Sequence, residues 1–368
     1  MLRLGVISFG GPAAQLALMH EELIKRRAWV SEQVYLDMLG ASGLIPGPTS
    51  TETAIHLGMS RGGPWGLWVA GLCFISPAAL ITGAFAWAYM AYGTLPAAQG
   101  LLQGVKPAVV AIILSAVLQL GRTAAKTTRL RVLGLLCLGL YLLGTNELAI
   151  LLGSGLLMGL LSRAQPVHLS SMALLLAGGS GTASAPAVQP TVPDVFLYFL
   201  RVGATLFGSG YVLLAFLRQG LVQKLGWLTE QQLLDAVAVG QFTPGPLFST
   251  ATFVGYVVGE RFGIGGWPCA LVASLGIFLP SFIMVWATHS LVRRLRQSPW
   301  TAAFLDGINA ASIALMTGVL YQLAASSLGM RPDAWLIFGA AAAAIFRFRV
   351  NSAWVVLASA ILGLLLYR

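Results

Sequence analysis

The sequence predicts an all-α integral membrane protein made of two homologous repeats of inverted topology, each with about five transmembrane helices and a re-entrant, broken Pro-Gly-Pro helix segment. Three observations predict it. First, 57% of the 368 residues are hydrophobic and only 9% are charged, whereas a soluble domain carries roughly 25% charged residues. A mean hydropathy of +0.81 agrees, and lipid suits so apolar a surface because helices there satisfy their own backbone hydrogen bonds. Second, the chain repeats itself. Third, equivalent loops of the two repeats carry opposite charge bias.

The repeat is read by setting Phe9 against Phe207. Phe9-Gly10 then matches Phe207-Gly208, and Trp29-Val30-Ser31-Glu32-Gln33 matches Trp227-Leu228-Thr229-Glu230-Gln231. Leu36-Asp37 matches Leu234-Asp235, and Pro46-Gly47-Pro48 matches Pro244-Gly245-Pro246, all without a gap. After a short insertion in the second copy, Pro77 aligns with Pro280, Gly104 with Gly307 and Gln119 with Gln322. Chance likeness between apolar sequences gives scattered Leu and Ala matches, not Trp, Asp, Glu and Pro-Gly-Pro in one register. The predicted units are residues 1–163 and 194–368. Residues 164–193 join them, and their glycine, serine and proline content reads as a linker.

In the first unit the pattern predicts a helix from Leu4 to Met19, a polar segment His20–Arg27 and a short helix starting near Ser31. Apolar runs follow at Trp65–Tyr92, Leu101–Leu120, Leu130–Leu143 and Leu148–Leu161. The second unit repeats them at Val195–Leu217, Trp267–His289, Phe304–Leu323, Ala334–Phe346 and Ala353–Tyr367. The last two runs of each unit fall short of the ~20 residues of a full span and read as a tight helical hairpin. Ser31 and Thr229 are placed as N-caps, and Gln232 completes a capping box with Thr229 that Val34 cannot form in the first copy. Trp29 and Trp227 follow basic segments and are expected at the headgroup level.

Lysine and arginine favour the cytoplasmic side. Loop 91–99 has no charge, while its counterpart holds Arg293, Arg294 and Arg296. Loop 121–131 holds Arg122, Lys126, Arg129 and Arg131, while its counterpart has Arg331 offset by Asp333. The turn 144–147 is not basic, and its counterpart has Arg347 and Arg349. Opposite orientation of the two copies accounts for this and requires an odd number of spans in each. Five spans plus one segment that enters and leaves on the same side satisfy it. Inverted repeats are a recurrent transporter architecture.

Proline ends a continuing helix and suits the start of a new one. Each Pro-Gly-Pro motif therefore predicts a helix start at Thr49-Ser50-Thr51 or Leu247-Phe248-Ser249-Thr250, with free N–H groups, hydroxyls and roughly half a positive charge from the dipole. Such an end is a ready anion site. Candidate binding residues are Pro46, Gly47, Pro48, Thr49, Ser50, Pro244, Gly245, Pro246 and Ser249. Phe9, Gly10, Gly11, Phe207, Gly208, Ser209 and Gly210 are weak points in the first helix of each copy. They either bring N–H groups to the same cavity or allow close helix packing. Lys106, with Asn309 as counterpart, either lines an anion path or snorkels to the interface. Glu52, Asp37 and Asp235 are candidates to carry a coupling proton, although hydrogen bonding alone also explains the two aspartates. The uncharged counterpart of Glu52 is Thr252 or a neighbour. His56 and His289 read as isolated, interfacial residues.

The charge of +10 sits in short loops between apolar runs, so it speaks for the lipid bilayer as partner rather than nucleic acid. Cys73, Cys137 and Cys269 lie inside apolar runs without paired spacing, which points to neither a disulfide framework nor a metal site. No catalytic or nucleotide-binding motif occurs, so no enzyme activity and no cofactor are expected. No cleavable signal is expected either, because Phe9 follows Met1-Leu2-Arg3 so closely. A homodimer is an assembly the sequence leaves open.

Taken together, Phe9-Gly-Gly-Pro, Trp29-Val-Ser-Glu and Gly43-Leu-Ile-Pro-Gly-Pro, with Phe207-Gly-Ser-Gly, Trp227-Leu-Thr-Glu and Gln241-Phe-Thr-Pro-Gly-Pro, resemble the chromate ion transporter family in its long, two-domain form. The resemblance covers both halves. It implies a multi-pass protein of the bacterial inner membrane that exports chromate and confers chromate resistance, with sulfate as a similar dianion. The matching positions are Phe9 to Gly11, Pro46 to Pro48, Phe207 to Gly210 and Pro244 to Pro246.

Overall fold

The computed structural model describes residues 1–9, 11–43, 45–93, 95–124, 126–163, 189–207, 210–289, 299–329 and 331–367. All regular structure among them is helical. The predicted helix Leu4–Met19 is two helices, α1 (Leu2–Ile7) and α2 (Gly11–Met19), and α2 runs into a π-helical turn at His20–Lys25. The break falls at the weak point that Phe9-Gly10-Gly11 marks in the sequence, and Gly11 has φ of 82° there, a conformation that favours glycine. The predicted run Val195–Leu217 divides in the same way. Its helix α8 (Val192–Thr205) is followed by a short turn at Gly210–Val212, then α9 (Leu213–Leu217) and a π-helical turn at Arg218–Lys224. Thr191 and Asp194 form a capping box that starts α8 inside the predicted linker.

Next comes α3 (Glu32–Ser42), then the first Pro-Gly-Pro, then α4 (Thr49–Tyr92). The 44 residues of α4 are not one span. Gly62 and Gly63 leave helical geometry, Gly63 with φ of 61°, and the chain folds back there. The segment 49–61 packs against 64–92, and a Cβ on Gly58 would meet both the Gly66 carbonyl and Ala70. The second half has the same parts: α10 (Glu230–Phe242), the second Pro-Gly-Pro, α11 (Thr250–Arg261) and α12 (Gly266–Thr288). Here Gly255 meets Cys269 and Ala273. The Thr229–Gln232 capping box is present, while Ser31 accepts only the Val34 N–H, at 3.4 Å. At ~1.5 Å per residue, α3 and 49–61 each cover about half of a ~30 Å hydrocarbon layer.

The remaining helices are α5 (Pro96–Ala124), α6 (Thr128–Leu142) and α7 (Glu147–Arg163) in the first half, and α13 (Pro299–Leu328), α14 (Pro332–Phe346) and α15 (Ser352–Leu366) in the second. Among the described residues, four helices are long and apolar enough to cross a membrane, namely α4, α5, α12 and α13. Their outer faces carry Trp65, Val69, Leu72, Leu80, Leu271 and Trp286, all exposed on the chain by itself, as a lipid-facing surface requires. Trp227, expected at the headgroup level, turns its side chain into the protein. It is buried and packs on Tyr198.

Contacts between the halves are reciprocal and glycine-lined. Along α5 and α15, Gly100 meets Gly363 and the Tyr367 carbonyl, and Gly104 meets Ser359 and Gly363. Along α13 and α7, Gly307 meets Ser154, Gly155 meets Phe304, and Gly159 meets Trp300. Both pairs run antiparallel. So do the equivalent helices 64–92 and α12, where Gly71 meets Phe282 and Gly83 meets Trp267. Small residues allow backbones to approach closely where lipid removes the hydrophobic drive between helices.

A Cβ at Gly104 would lie 2.2 Å from the Ser359 carbonyl and 2.5 Å from the Gly363 Cα. Neither is a flexible side-chain end, so Gly104→Val should destabilise the fold by about 1–3 kcal/mol or more. Gly139→Ala, which meets nothing within 4 Å, should stay within about 1 kcal/mol. Thermal unfolding in detergent compares the two, and equal melting points would contradict this packing.

Candidate functional site

Both Pro-Gly-Pro loops lie in the interior, with all six of their proline and glycine positions buried. Pro48 and Pro246 occupy the N-cap positions of the helical segments that follow, with extended backbone, rather than the first helical position. Gly47 and Gly245 have φ of 140° and 100°, so both loops depend on glycine. The Gly47 N–H donates to the Leu206 carbonyl at 2.8 Å, and the Gly245 N–H donates to the Ser8 carbonyl at 2.9 Å. Leu206 ends α8 and Ser8 ends α1. Each loop is therefore held by the first helix of the other half.

Each loop also faces the long helix of the other half just beyond its internal proline. A Cβ on Gly47 would meet Ser281 Oγ, and one on Gly245 would meet the Ala78 Cβ. Ser281 Oγ donates to Glu52 Oε1 at 3.4 Å, and Thr82 Oγ1 donates to Ser249 Oγ at 3.5 Å. Gly58 packs on Gly66 and Ala70 as Gly255 packs on their equivalents Cys269 and Ala273. Ser249, six residues before Gly255, therefore stands where Glu52 stands before Gly58, one turn before the Thr252 neighbourhood that register alone suggested. Gln15 Nε2 donates to the Gly245 carbonyl at 2.6 Å. A cavity of about 10 Å³ lies between Gly11, Pro12, Gly240, Gln241, Thr243, Gly245 and Leu247. That is room for a single water, so a tetrahedral anion enters only if these walls separate.

Among the other predicted site residues, Thr49 is half-buried and Ser50 buried, both in the first turn of α4. Phe9 is exposed, Phe207 half-buried and Gly210 buried beside Leu247. Gly10, Gly208 and Ser209 lie outside the described residues. Asp37 accepts from Gln33 on its own helix at 3.3 Å, away from Glu52.

Lys106 does not snorkel. It is buried, with Nζ 3.9 Å from Asp235 Oδ1, and Tyr89 donates to Asp235 Oδ2 at 3.0 Å. The two histidines are not isolated either. His56 Nδ1 and His289 Nδ1 are 3.0 Å apart, and the rings stack at 5.3 Å between centroids. The sequence offered one local signal for this group: His56 follows Glu52 at i+4, on one helix face. His289 is 233 residues away.

Against known proteins, the model of the family described as chromate transporter matches residues 1–160 and 193–364, covering both halves. The chain belongs to the chromate transporter family. It is similar to the probable chromate transport protein of Synechococcus elongatus, at 33% identity over 89% of this chain and 84% of the relative. It is also similar to the chromate transport proteins of Cupriavidus metallidurans, at 31% identity over 100% of this chain and 91% of the relative, and of Pseudomonas aeruginosa, at 30% over 100% and 91%. No solved structure matches it. Membership makes this a multi-pass membrane transport protein, not an enzyme.

Removing one partner of a buried ion pair leaves an uncompensated charge, at a cost of about 3–5 kcal/mol. Asp235→Asn should therefore lower stability strongly, and adding Lys106→Met should recover much of the loss. Unfolding of both single variants and the double variant in detergent checks this, and additive effects would show that the two side chains do not interact.

Proposed function

We propose that this chain is a secondary transporter that exports chromate, a dianionic oxyanion, across the bacterial inner membrane by alternating access between two inverted repeats. The repeats are 1–163 and 194–368, joined by 164–193. The observation that carries the reading is the reciprocal docking of the two Pro-Gly-Pro loops, Gly47 on Leu206 and Gly245 on Ser8. A two-fold exchange of this kind brings two helix starts to the interior at the interface of the repeats, where such transporters bind solute.

Inversion is supported by the antiparallel course of 64–92 and α12, equivalent helices that parallel repeats would align in the same direction. Each repeat then has five spans and one re-entrant hairpin. The spans are the broken first helix, the long helix ending at Tyr92 or Thr288, and three more. The hairpin is α3 with 49–61, or α10 with α11.

The substrate reading draws on the relatives named as chromate transport proteins and on the chemistry of the loops. The N–H groups and hydroxyls of Thr49, Ser50 and Ser249, at positive helix ends, offer donors to oxyanion oxygens. The small cavity has room for one water, and separation of the loops would admit the anion. Sulfate matches chromate in charge and shape, so both anions belong in the test. Glu52, with one carboxylate oxygen buried and unpartnered, is the leading candidate for a coupling proton.

Uptake of chromate and sulfate into proteoliposomes should be saturable, prefer chromate, and respond to a pH gradient beyond its response to potential alone. Flux that follows potential alone would replace the transporter with a channel. Pro48→Ala together with Pro246→Ala should reduce flux to the protein-free rate in correctly inserted protein, and unchanged flux would remove the site. In a cysteine-free background, Leu143→Cys and Phe348→Cys lie in equivalent, exposed turns. An impermeant thiol reagent should reach them from opposite sides of the membrane, and labelling from one side would overturn the inversion.

A further inference from the structure

We propose that His56 and His289 form a one-proton relay joining Glu52, beside the first Pro-Gly-Pro loop, to the end of α12. Three observations lead there. The two Nδ1 atoms are 3.0 Å apart, a distance at which one ring must donate and the other accept. His56 and Glu52 are fully buried, and His56 Nε2 and Glu52 Oε2 have no hydrogen-bond partner. In either tautomer His56 therefore presents a buried, unmet nitrogen, which is costly unless it exchanges a proton or meets a transient partner. His289 is half-buried and caps the C-terminus of α12, so the line runs from the interior to the end of a span.

The chemistry balances with one proton. At rest His289 Nδ1–H donates to His56 Nδ1, His289 Nε2 is bare, and His56 Nε2 carries hydrogen. A proton binds His289 Nε2, the shared proton moves to His56 Nδ1, and the His56 Nε2 proton passes to the Glu52 carboxylate. Glu52 is one helical turn away, about 5–6 Å between Cβ atoms, which one water bridges. Both rings end in the opposite tautomer and the carboxylate is neutral. A second proton on the pair would set two N–H donors face to face and break the contact between segment 49–61 and α12. Among the described residues, the titratable group that bears on His56 from the helices packed around it is His289, and Glu52 is met by the uncharged Ser281.

The pseudo-symmetry is broken here. The equivalents of Glu52, His56 and His289 are Ser249, Phe253 and Ala86, which carry no ionisable group and are all buried. The relay therefore serves one of two otherwise matched paths.

As a coupling device the relay rests on the transport reading above, and its proton chemistry is measured separately. In full-length protein in lipid bilayers, nitrogen-15 NMR of the histidines should show one hydrogen bond between Nδ1 atoms and uptake of a single proton by the pair as pH falls from 8 to 5. His289→Gln should abolish the coupling at His56. Two histidines titrating independently would overturn the relay. In chromate-loaded proteoliposomes, His56→Gln and His289→Gln should each lose about tenfold or more of the acceleration by a pH gradient, while chromate counterflow continues. Variants with both normal counterflow and a normal pH-gradient response would overturn the relay as the coupling route. Failure of the wild type to move chromate would overturn the transport reading instead, and the NMR titration would still decide the proton pair.

Discussion

The N–H of Gly47 on the Leu206 carbonyl, and the N–H of Gly245 on the Ser8 carbonyl, close a problem that each half creates and cannot solve alone. A chain broken inside a membrane exposes backbone groups where water cannot reach them, at roughly 2–7 kcal/mol for each unmet group. The ends of α1 and α8 leave orphan carbonyls, and the Pro-Gly-Pro loops present orphan N–H groups. Exchanging partners across the repeat satisfies both. It also divides the molecule along lines that differ from the halves of the sequence, because α1 is tied to the second loop and α8 to the first.

The positions of the loops follow from helix packing around them. Pro77 deprives the Cys73 carbonyl of its helical donor and bends the long helix, and Gly5 packs directly on the carbonyls of Cys73 and Phe74. Gly203 packs on the Ile277 carbonyl near Pro280 in the same way. A side chain at Gly5 or Gly203 would push α1 or α8 outward and carry away the carbonyl that the opposing loop needs. The glycine pairs along α5–α15 and α13–α7 hold the outer helices equally close, so the interior has little freedom except by movement of whole units.

Features carried by local chemistry were legible in the sequence. The Pro-Gly-Pro loops, the capping box at Thr229 and the apolar character of the long helices all declare themselves within a few residues. The weak points at Phe9–Gly11 and Phe207–Gly210 were legible, but not that each ends a helix, because apolar residues continue on both sides. The turn at Gly62–Gly63 lies in Ser60-Arg61-Gly62-Gly63-Pro64, just before the predicted run from Trp65, but no fold-back is read there from the sequence alone. The packing of Trp227 on Tyr198 was not legible, because a tryptophan after basic residues looks the same whether it meets headgroups or another side chain. The pairs Lys106–Asp235 and His56–His289 could not be read at all. They join the first half to the second, and the repeat register aligns equivalent positions without saying which non-equivalent ones touch.

Those two pairs are where the halves differ most. In the transport reading proposed above, matched and inverted halves would give inward-open and outward-open states of similar energy, with nothing in the scaffold to favour one. An ion shifts such an equilibrium only through a difference in its affinity for the two states. Beside the first Pro-Gly-Pro loop Glu52 and His56 are buried and His289 is half-buried; elsewhere Asp235 lies 3.9 Å from Lys106 and accepts from Tyr89, while its Oδ1 makes no hydrogen bond. In the relay proposed above, a proton entering through His289 would reach Glu52, which is met by the uncharged Ser281, whereas Asp235 faces the Lys106 cation. In that reading the duplicated scaffold would supply the movement, and the unmatched charges would supply the difference between its two ends on which a proton gradient acts.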